Sequence, residues 1–275
     1  MEEAKFMQRT AAYTDIDGTV TAYNTIFGLF RFDAAERGCA AKAEEFLQEL
    51  RSDALYGVPR SETNARYFGW WRGRSVRELE ELGERWADFQ DSSPAAASAP
   101  VHVSAPADVS GPADVSGPAD VSGPADVSGP THVSGPAQDT PPEEWGFLEP
   151  VAALLDGHVR AGRRIVAVTA SFPPALVRVL RRWPTLELLC AELVTERGVY
   201  TGGIDEAMVG EAKAKAVAAH ASRNRIDLAG SFAYGDHASD VPFMRLAGHS
   251  LMIGNSGLSA QMPVNYALRQ EFSKR

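Results

Sequence analysis

Apolar positions follow two different rhythms along the chain. From residue 20 to residue 91 they recur at helical spacing. Ile26, Phe27, Leu29 and Phe30 open one helix, Phe46, Leu47 and Leu50 mark another, and Val76, Leu79, Leu82, Trp86 and Phe89 a further one. Residues 143–275 instead alternate helix and strand. The pattern predicts a helix over Leu148–Ala161 stopped by Gly162, a buried strand Ile165–Val168, and a helix opened by Pro173 and Pro174 and running to Arg182. It continues with a strand within Leu186–Leu193, a hairpin within Val199–Ile204, a helix over Lys213–Ser222, and short strands Phe232–Tyr234 and Ser250–Ile253. Near the start, Ala11–Thr14 is one more strand. Strands alternating with helices predict an α/β fold, a doubly wound parallel sheet, with a helical insertion after its first strand.

Between these regions the patterning stops. Residues 100–135 hold six hexapeptide units, four of them Pro-Ala-Asp-Val-Ser-Gly from Pro106 to Gly129. Across residues 92–142 there is no aromatic, Leu, Ile, Lys or Arg. Such a stretch has too little apolar surface to offset the entropy of ordering it, and a proline in each unit removes donors from any β-ladder. It is expected to be a disordered linker over 92–142. The domains expected around it are a core of 1–21 with 143–275 and a helical layer over 22–91.

Composition sharpens this division. Ten of the 17 prolines lie in 92–142, as do five aspartates, so the formal net charge of −9 overstates the acidity of the remainder. The acidic balance argues against nucleic acid or an acidic membrane surface as partner. Cys39 and Cys190 are far apart, without metal or redox spacing, and are expected to be reduced thiols. No signal pattern opens the sequence and no apolar run approaches a membrane span, so a cytoplasmic protein is expected.

The chemistry sits where strands end. Asp15-Ile16-Asp17-Gly18-Thr19 follows the first strand, and parallel sheets place their sites at such ends. Two carboxylates at i and i+2 can face one crevice, while Gly18 lets the backbone turn away. A calcium loop is the alternative, but the pattern places Val20 where an EF-hand needs glycine. Thr169 and Ser171 follow the second strand beside a helix N-terminus; Ser171 could equally be an N-cap. Lys213 lies in the first turn of a helix after Gly210, and Gly235-Asp236-His237-Ala238-Ser239-Asp240 adds two carboxylates after Tyr234.

Together these four elements resemble the haloacid dehalogenase superfamily, in its phosphoserine-phosphatase-like branch with a helical cap after the first motif. Asp15-x-Asp17-Gly-Thr is similar to its first motif, Thr169 to its second, Lys213 to its third and Gly235-Asp236-x3-Asp240 to its fourth. The resemblance covers residues 11–91 and 143–265 and implies hydrolysis of a small phosphorylated metabolite. Asp15 would be the nucleophile that forms an aspartyl-phosphate, Asp17 the acid and then the base, and Thr169 and Lys213 the neutralisers of phosphoryl oxygens. Mg²⁺ would be held by Asp15, the Asp17 backbone carbonyl and Asp236, with Asp240 behind them. The second carboxylate distinguishes Asp17-bearing members from those that cleave carbon–halogen bonds. Two other readings compete: a phosphotransferase or mutase with the same intermediate, and a non-catalytic protein that recruits a partner through its repeat.

Substrate-facing residues depart from the branch. A glutamate nine residues beyond the nucleophile reads the amino group of phosphoserine there; here that position is Asn24. Ser171, Asn24 and Arg66 are the expected substrate contacts, with Arg60 an alternative to Arg66, and Tyr67, Phe68, Trp70 and Trp71 the expected aromatic core of the helical layer. His237 replaces a small residue. His158 and His220, lone histidines on helices, are expected at the surface.

Overall fold

The computed structural model describes residues 9–92 and 145–254. Apart from Ser92, the repeat segment and its expected disorder lie outside the described residues. β1 (Ala11–Thr14) is followed by four helices, α1 (Thr25–Glu36), α2 (Ala40–Leu55), α3 (Arg60–Gly69) and α4 (Val76–Ser92). Beyond Trp145 come α5 (Glu149–Arg160), β2 (Arg164–Val168), a 3₁₀ turn (Pro173–Leu176) that runs into α6 (Val177–Arg182), and β3 (Glu187–Leu189). A two-stranded ribbon, β4 (Glu192–Glu196) and β5 (Val199–Glu206), precedes α7 (Glu211–Asn224). The chain then adds β6 (Phe232–Gly235), a second 3₁₀ turn (Ala238–Asp240), α8 (Val241–Met244) and β7 (His249–Met252).

Five strands pair in the order β3-β2-β1-β6-β7, every pairing parallel. β1 is central and the chain winds outward from it in both directions. The carboxyl ends of β1, β2 and β6 therefore open on one crevice at the switch point. Successive side chains alternate between faces. Tyr13, Val166, Val168 and Ala233 pack with Val217 of α7 and Phe243 of α8, whereas Ala12, Ile165, Ala167 and Tyr234 pack with Leu155 of α5 and Val179 of α6. Both faces are covered, which explains the continuous apolar runs in these strands.

The helices between β1 and Trp145 build a separate aromatic core from Phe30, Tyr67, Phe68, Trp71 and Trp86, all essentially buried. Glycines let its parts approach closely. A Cβ on Gly83 of α4 would lie 2.4 Å from the Pro174 carbonyl oxygen, so α4 rests directly on the 3₁₀ turn after β2. The ribbon belongs to this layer by its packing. Leu193, Tyr200 and Ile204 join the aromatic core, and Tyr200 exchanges backbone hydrogen bonds of 2.8 Å with Gly73 and Arg74.

Two expectations change here. The strand read over Leu186–Leu193 is two strands, because after Leu189 the chain leaves the main sheet for the ribbon. The hairpin turn lies at Arg197-Gly198, both at positive φ (52° and 76°), not within Val199–Ile204, which is one strand. His158 and His220 are also corrected, since both are buried. His158 Nε2 lies 2.7 Å from the Tyr234 hydroxyl and His220 Nδ1 lies 3.1 Å from that of Tyr13, on opposite faces of the sheet. The spacing held the signal: His158 follows Val151 and Leu155 on the inner stripe of α5, as His220 follows Val217 on α7.

Candidate active site

Asp15 stands one residue beyond β1, and its backbone N–H still donates to the Tyr234 carbonyl across the sheet (2.9 Å). Its carboxylate is buried and accepts from Lys213 Nζ at 2.7 Å. The same ammonium donates to Asp240 Oδ1 at 2.6 Å, so one buried cation joins two strand-end loops. Asp240 Oδ2 accepts the His237 backbone N–H (3.0 Å), which leaves both of its oxygens engaged. Asp236 accepts from the Thr19 hydroxyl (3.2 Å). The backbone of Gly18 passes against Asp236: with φ at +82°, a Cβ there would fall 2.4 Å from Asp236 Oδ2. Gly18 is thus required by close approach as well as by conformation.

Asp17 is held from the helical side. The N–H of Thr25, first residue of α1, donates to its Oδ1 at 2.7 Å, so the carboxylate sits at a helix N-terminus. The Asn24 side chain caps the same helix by accepting from the Phe27 N–H (3.0 Å) while also lining the cavity. Thr169 lines the cavity and accepts the Ser171 N–H (3.1 Å) on its hydroxyl.

Burial dominates the electrostatics. It pushes Asp15 well above the usual carboxylate range, with Lys213 offsetting part of the effect and Asp240, Asp236 and Asp17 adding to it. Asp17 is raised by burial against the opposing hydrogen bonds from Thr25. Asp236 is pushed up to about 6 by burial and by Asp240. Burial opposes charge on Lys213, yet the adjacent Asp15 and Asp240 carboxylates outweigh it and raise the ammonium. One oxygen each from Asp15, Asp236 and Asp240 lie within 4.8 Å of one another. Three crowded carboxylates against one ammonium are an all-oxygen donor set with excess negative charge, which fits a hard divalent cation. With both Asp240 oxygens already bonded, Asp15 and Asp236 are the donors left to face one. The Asp17 side chain stands outside this triad.

The crevice is a cavity of about 290 Å³ between the sheet and the helical layer. On α3, Arg60, Thr63, Asn64 and Tyr67 face it, at i, i+3, i+4 and i+7. Arg66 falls off that stripe, pairs with Glu49 (3.2 Å) and Asp53 of α2, and does not line the cavity. Ser171 does not line it either. Its hydroxyl is fully buried against that of Thr25 (2.8 Å), tying the end of β2 to the start of α1. His237 does line it, and Arg60 Nη1 approaches His237 Nδ1 (3.1 Å) and the Ser239 hydroxyl (3.2 Å) across the crevice. Thr63 and Asn64 also line the cavity, as helical spacing from Arg60 would indicate, and so do Met208 and Val209, for which the sequence holds no local signal.

Residues 139–245 match the model of the haloacid dehalogenase-like hydrolase family, a span that holds Thr169, Lys213, Asp236 and Asp240. That span of the chain is similar to haloacid dehalogenase-like hydrolases. The fold completes it by bringing Asp15 and Asp17 from the far side of the helical layer. A probable phosphatase of Mycobacterium tuberculosis is 28% identical over 102 residues, 37% of this chain and 36% of that protein. The match thus spans little more than a third of that relative. Among solved structures, a protein of unknown function from Bordetella pertussis superposes with a TM-score of 0.65 at 17% identity, covering 96% of this chain and 97% of its own. A probable phosphoserine phosphatase of Vibrio cholerae gives 0.55 at 13% identity, over 94% and 60%. At such identities these structures share the fold of this chain. No helix among the described residues is long and apolar enough to cross a membrane.

Proposed function

We infer that this protein is a phosphatase that hydrolyses a small phosphomonoester through Asp15, with the layer over 22–91 as the cap above the site. The observation that carries the reading is the Asp15–Lys213–Asp240 chain of 2.7 and 2.6 Å contacts beside Asp17. It sets a fixed carboxylate and a fixed ammonium next to a second carboxyl of raised pKa.

Asp15 attacks phosphorus in line, the bond to the leaving oxygen breaks, and protonated Asp17 delivers its proton to that oxygen. Its raised pKa supports carriage of that proton. Water then attacks the aspartyl-phosphate, Asp17 takes the proton, and the phosphorus–Asp15 bond breaks to give inorganic phosphate and the free carboxylate. Lys213 and Thr169 offset charge on the phosphoryl oxygens, where phosphoryl transfer is most demanding. Asp15 and Asp236, with the backbone carbonyl of Asp17, would hold Mg²⁺. When bound, the cation neutralises the phosphate and the carboxylates that crowd it.

Asp15→Asn tests the reading on an aryl phosphate such as 4-nitrophenyl phosphate with Mg²⁺. Phosphate release should fall at least about 1,000-fold, the scale expected when a nucleophile is removed. Release at the parent rate would remove Asp15 from that role.

A further inference from the structure

Polar groups on the helical wall of the cavity already have partners within the protein. The Asn24 side-chain oxygen caps α1. The Thr63 hydroxyl donates to the Arg60 carbonyl (3.1 Å), and the Tyr67 hydroxyl donates to the Ile26 carbonyl (2.6 Å). Arg60 Nη1 donates to the Ser239 hydroxyl and approaches His237 Nδ1 across the mouth. Its charge also acts on the Asp17 and Asp236 carboxylates. Arg51 lies in the field of Glu44, and Asn64 keeps its Nδ2 buried. All four carboxylates of the cavity belong to the strand ends, where Lys213 bridges two of them.

What the helical wall offers to a bound molecule is apolar. Phe27 and Tyr67 present rings packed edge to face, with centroids 5.9 Å apart. Ile26, Leu50 and Val58 line the same wall, and Met208 adds to it from the segment before α7. Leu55 also lines the cavity while 68% exposed, and the next residue, Tyr56, is 88% exposed. Among the described residues these are the two most exposed large apolar side chains, and they stand together at the end of α2. Exposed apolar surface continuous with a pocket is a feature of ligand-binding grooves. The cavity, about 290 Å³, is at the small end for ligand pockets, and a phosphoryl group takes part of it. A body of more than a few carbons therefore extends to this mouth.

We propose that the substrate, under the phosphatase reading above, is the phosphate monoester of an uncharged, apolar alcohol whose chain or ring runs along Phe27, Val58 and Leu55 to the mouth. The phosphoryl end lies at Asp15 and Lys213, and the body is recognised by the burial of its apolar surface. A charged group on that body would lose water and meet side chains already engaged with one another. The site thereby selects hydrocarbon phosphates over amino-alcohol and polyol phosphates.

Ethyl, butyl and hexyl phosphate test this, since their leaving groups have near-equal basicity and differ in apolar length. With Mg²⁺, kcat/KM should rise by about threefold for each methylene added, the scale of burying one such group. In 5-aminopentyl and 5-carboxypentyl phosphate an ammonium or a carboxylate replaces the terminal methyl of the hexyl ester. Both should fall at least about tenfold below hexyl phosphate, because neither charge is matched on this wall. Leu55→Asn, a change at an exposed position, should cut the hexyl-to-ethyl ratio by about threefold or more. Calorimetric binding of ethylphosphonate and hexylphosphonate, which have no ester bond to break, reads the length dependence without turnover. A flat series, a charged ester used as well as the hexyl ester, or a ratio unmoved by Leu55→Asn overturns the proposal. Absence of phosphate release from every ester overturns the phosphatase reading instead, and the phosphonate order then decides whether the cavity takes an apolar phosphoryl compound.

Discussion

A buried histidine on α5 turns a packing detail into a pH effect. Burial, with a smaller contribution from Arg163, lowers His158 from 6.5 to about 4. In the unfolded chain the imidazole takes up its proton near pH 6.5, whereas in the fold it stays neutral until about pH 4. The unfolded state therefore binds more protons between these values. The His158 contribution is complete above pH 6.5 and is lost as pH falls through the window, by on the order of 3 kcal/mol. Asp236, raised by burial to about 6, acts in the opposite sense in the metal-free protein, so variant and parent must be compared. Urea unfolding of His158→Gln should show a shallower loss of stability from pH 6.5 to 4 than the parent; equal slopes would exclude the assignment. Nothing in the identity of a lone histidine separates surface from core. Its place one turn after Leu155 does, once the inner face of α5 is known.

At the scale of elements, the contact between α4 and the turn after β2 is set by one missing side chain. A Cβ on Gly83 would meet the oxygen, carbon and Cα of Pro174 at 2.4, 3.0 and 3.0 Å, and a backbone cannot rotate aside. Gly83→Ala should destabilise the protein by about 1–3 kcal/mol, although alanine alone favours a helix by about 1 kcal/mol. Gly157→Ala on α5, where the nearest atom is an Arg160 side-chain nitrogen at 3.8 Å, should be neutral or stabilising. Denaturant midpoints that moved alike in both would show that α4 does not bear on the turn. The helices themselves were readable from periodicity, with Leu79, Leu82 and Trp86 on the inner stripe of α4 as the spacing predicts. The ribbon was not. Leu186–Leu193 is apolar apart from Glu187 and Glu192 and holds no glycine or proline to mark a break, and the break between β3 and β4 comes from pairing with Val168 ending at Leu189.

For the whole molecule, the two described ends of the repeat segment converge on a single guanidinium. Arg178 Nε donates to Asp91 at 2.8 Å, near the end of α4, and Arg178 Nη1 donates to the Trp145 carbonyl. A short link can therefore replace what lies between them. Removal of residues 95–140 should leave kcat on an aryl phosphate within about twofold of the parent, since no described residue of the site lies near the junction by sequence. A loss of more than tenfold would make the segment part of the catalytic unit.

What the sequence determined by itself was local: strand and helix periods, the glycine after Asp17, and the position of each polar residue at a strand end. Those features follow from backbone sterics and from side-chain spacing, which neighbouring residues impose. The tertiary structure decided the rest. It selected Arg60 over Arg66 because only one of them lies on the cavity stripe of α3, and it withdrew Ser171 into a buried hydroxyl pair with Thr25. It gave Lys213 two carboxylate partners 198 and 27 residues away. Partners so distant meet only when the sheet order is set, and the sheet order depends on burying two apolar faces at once.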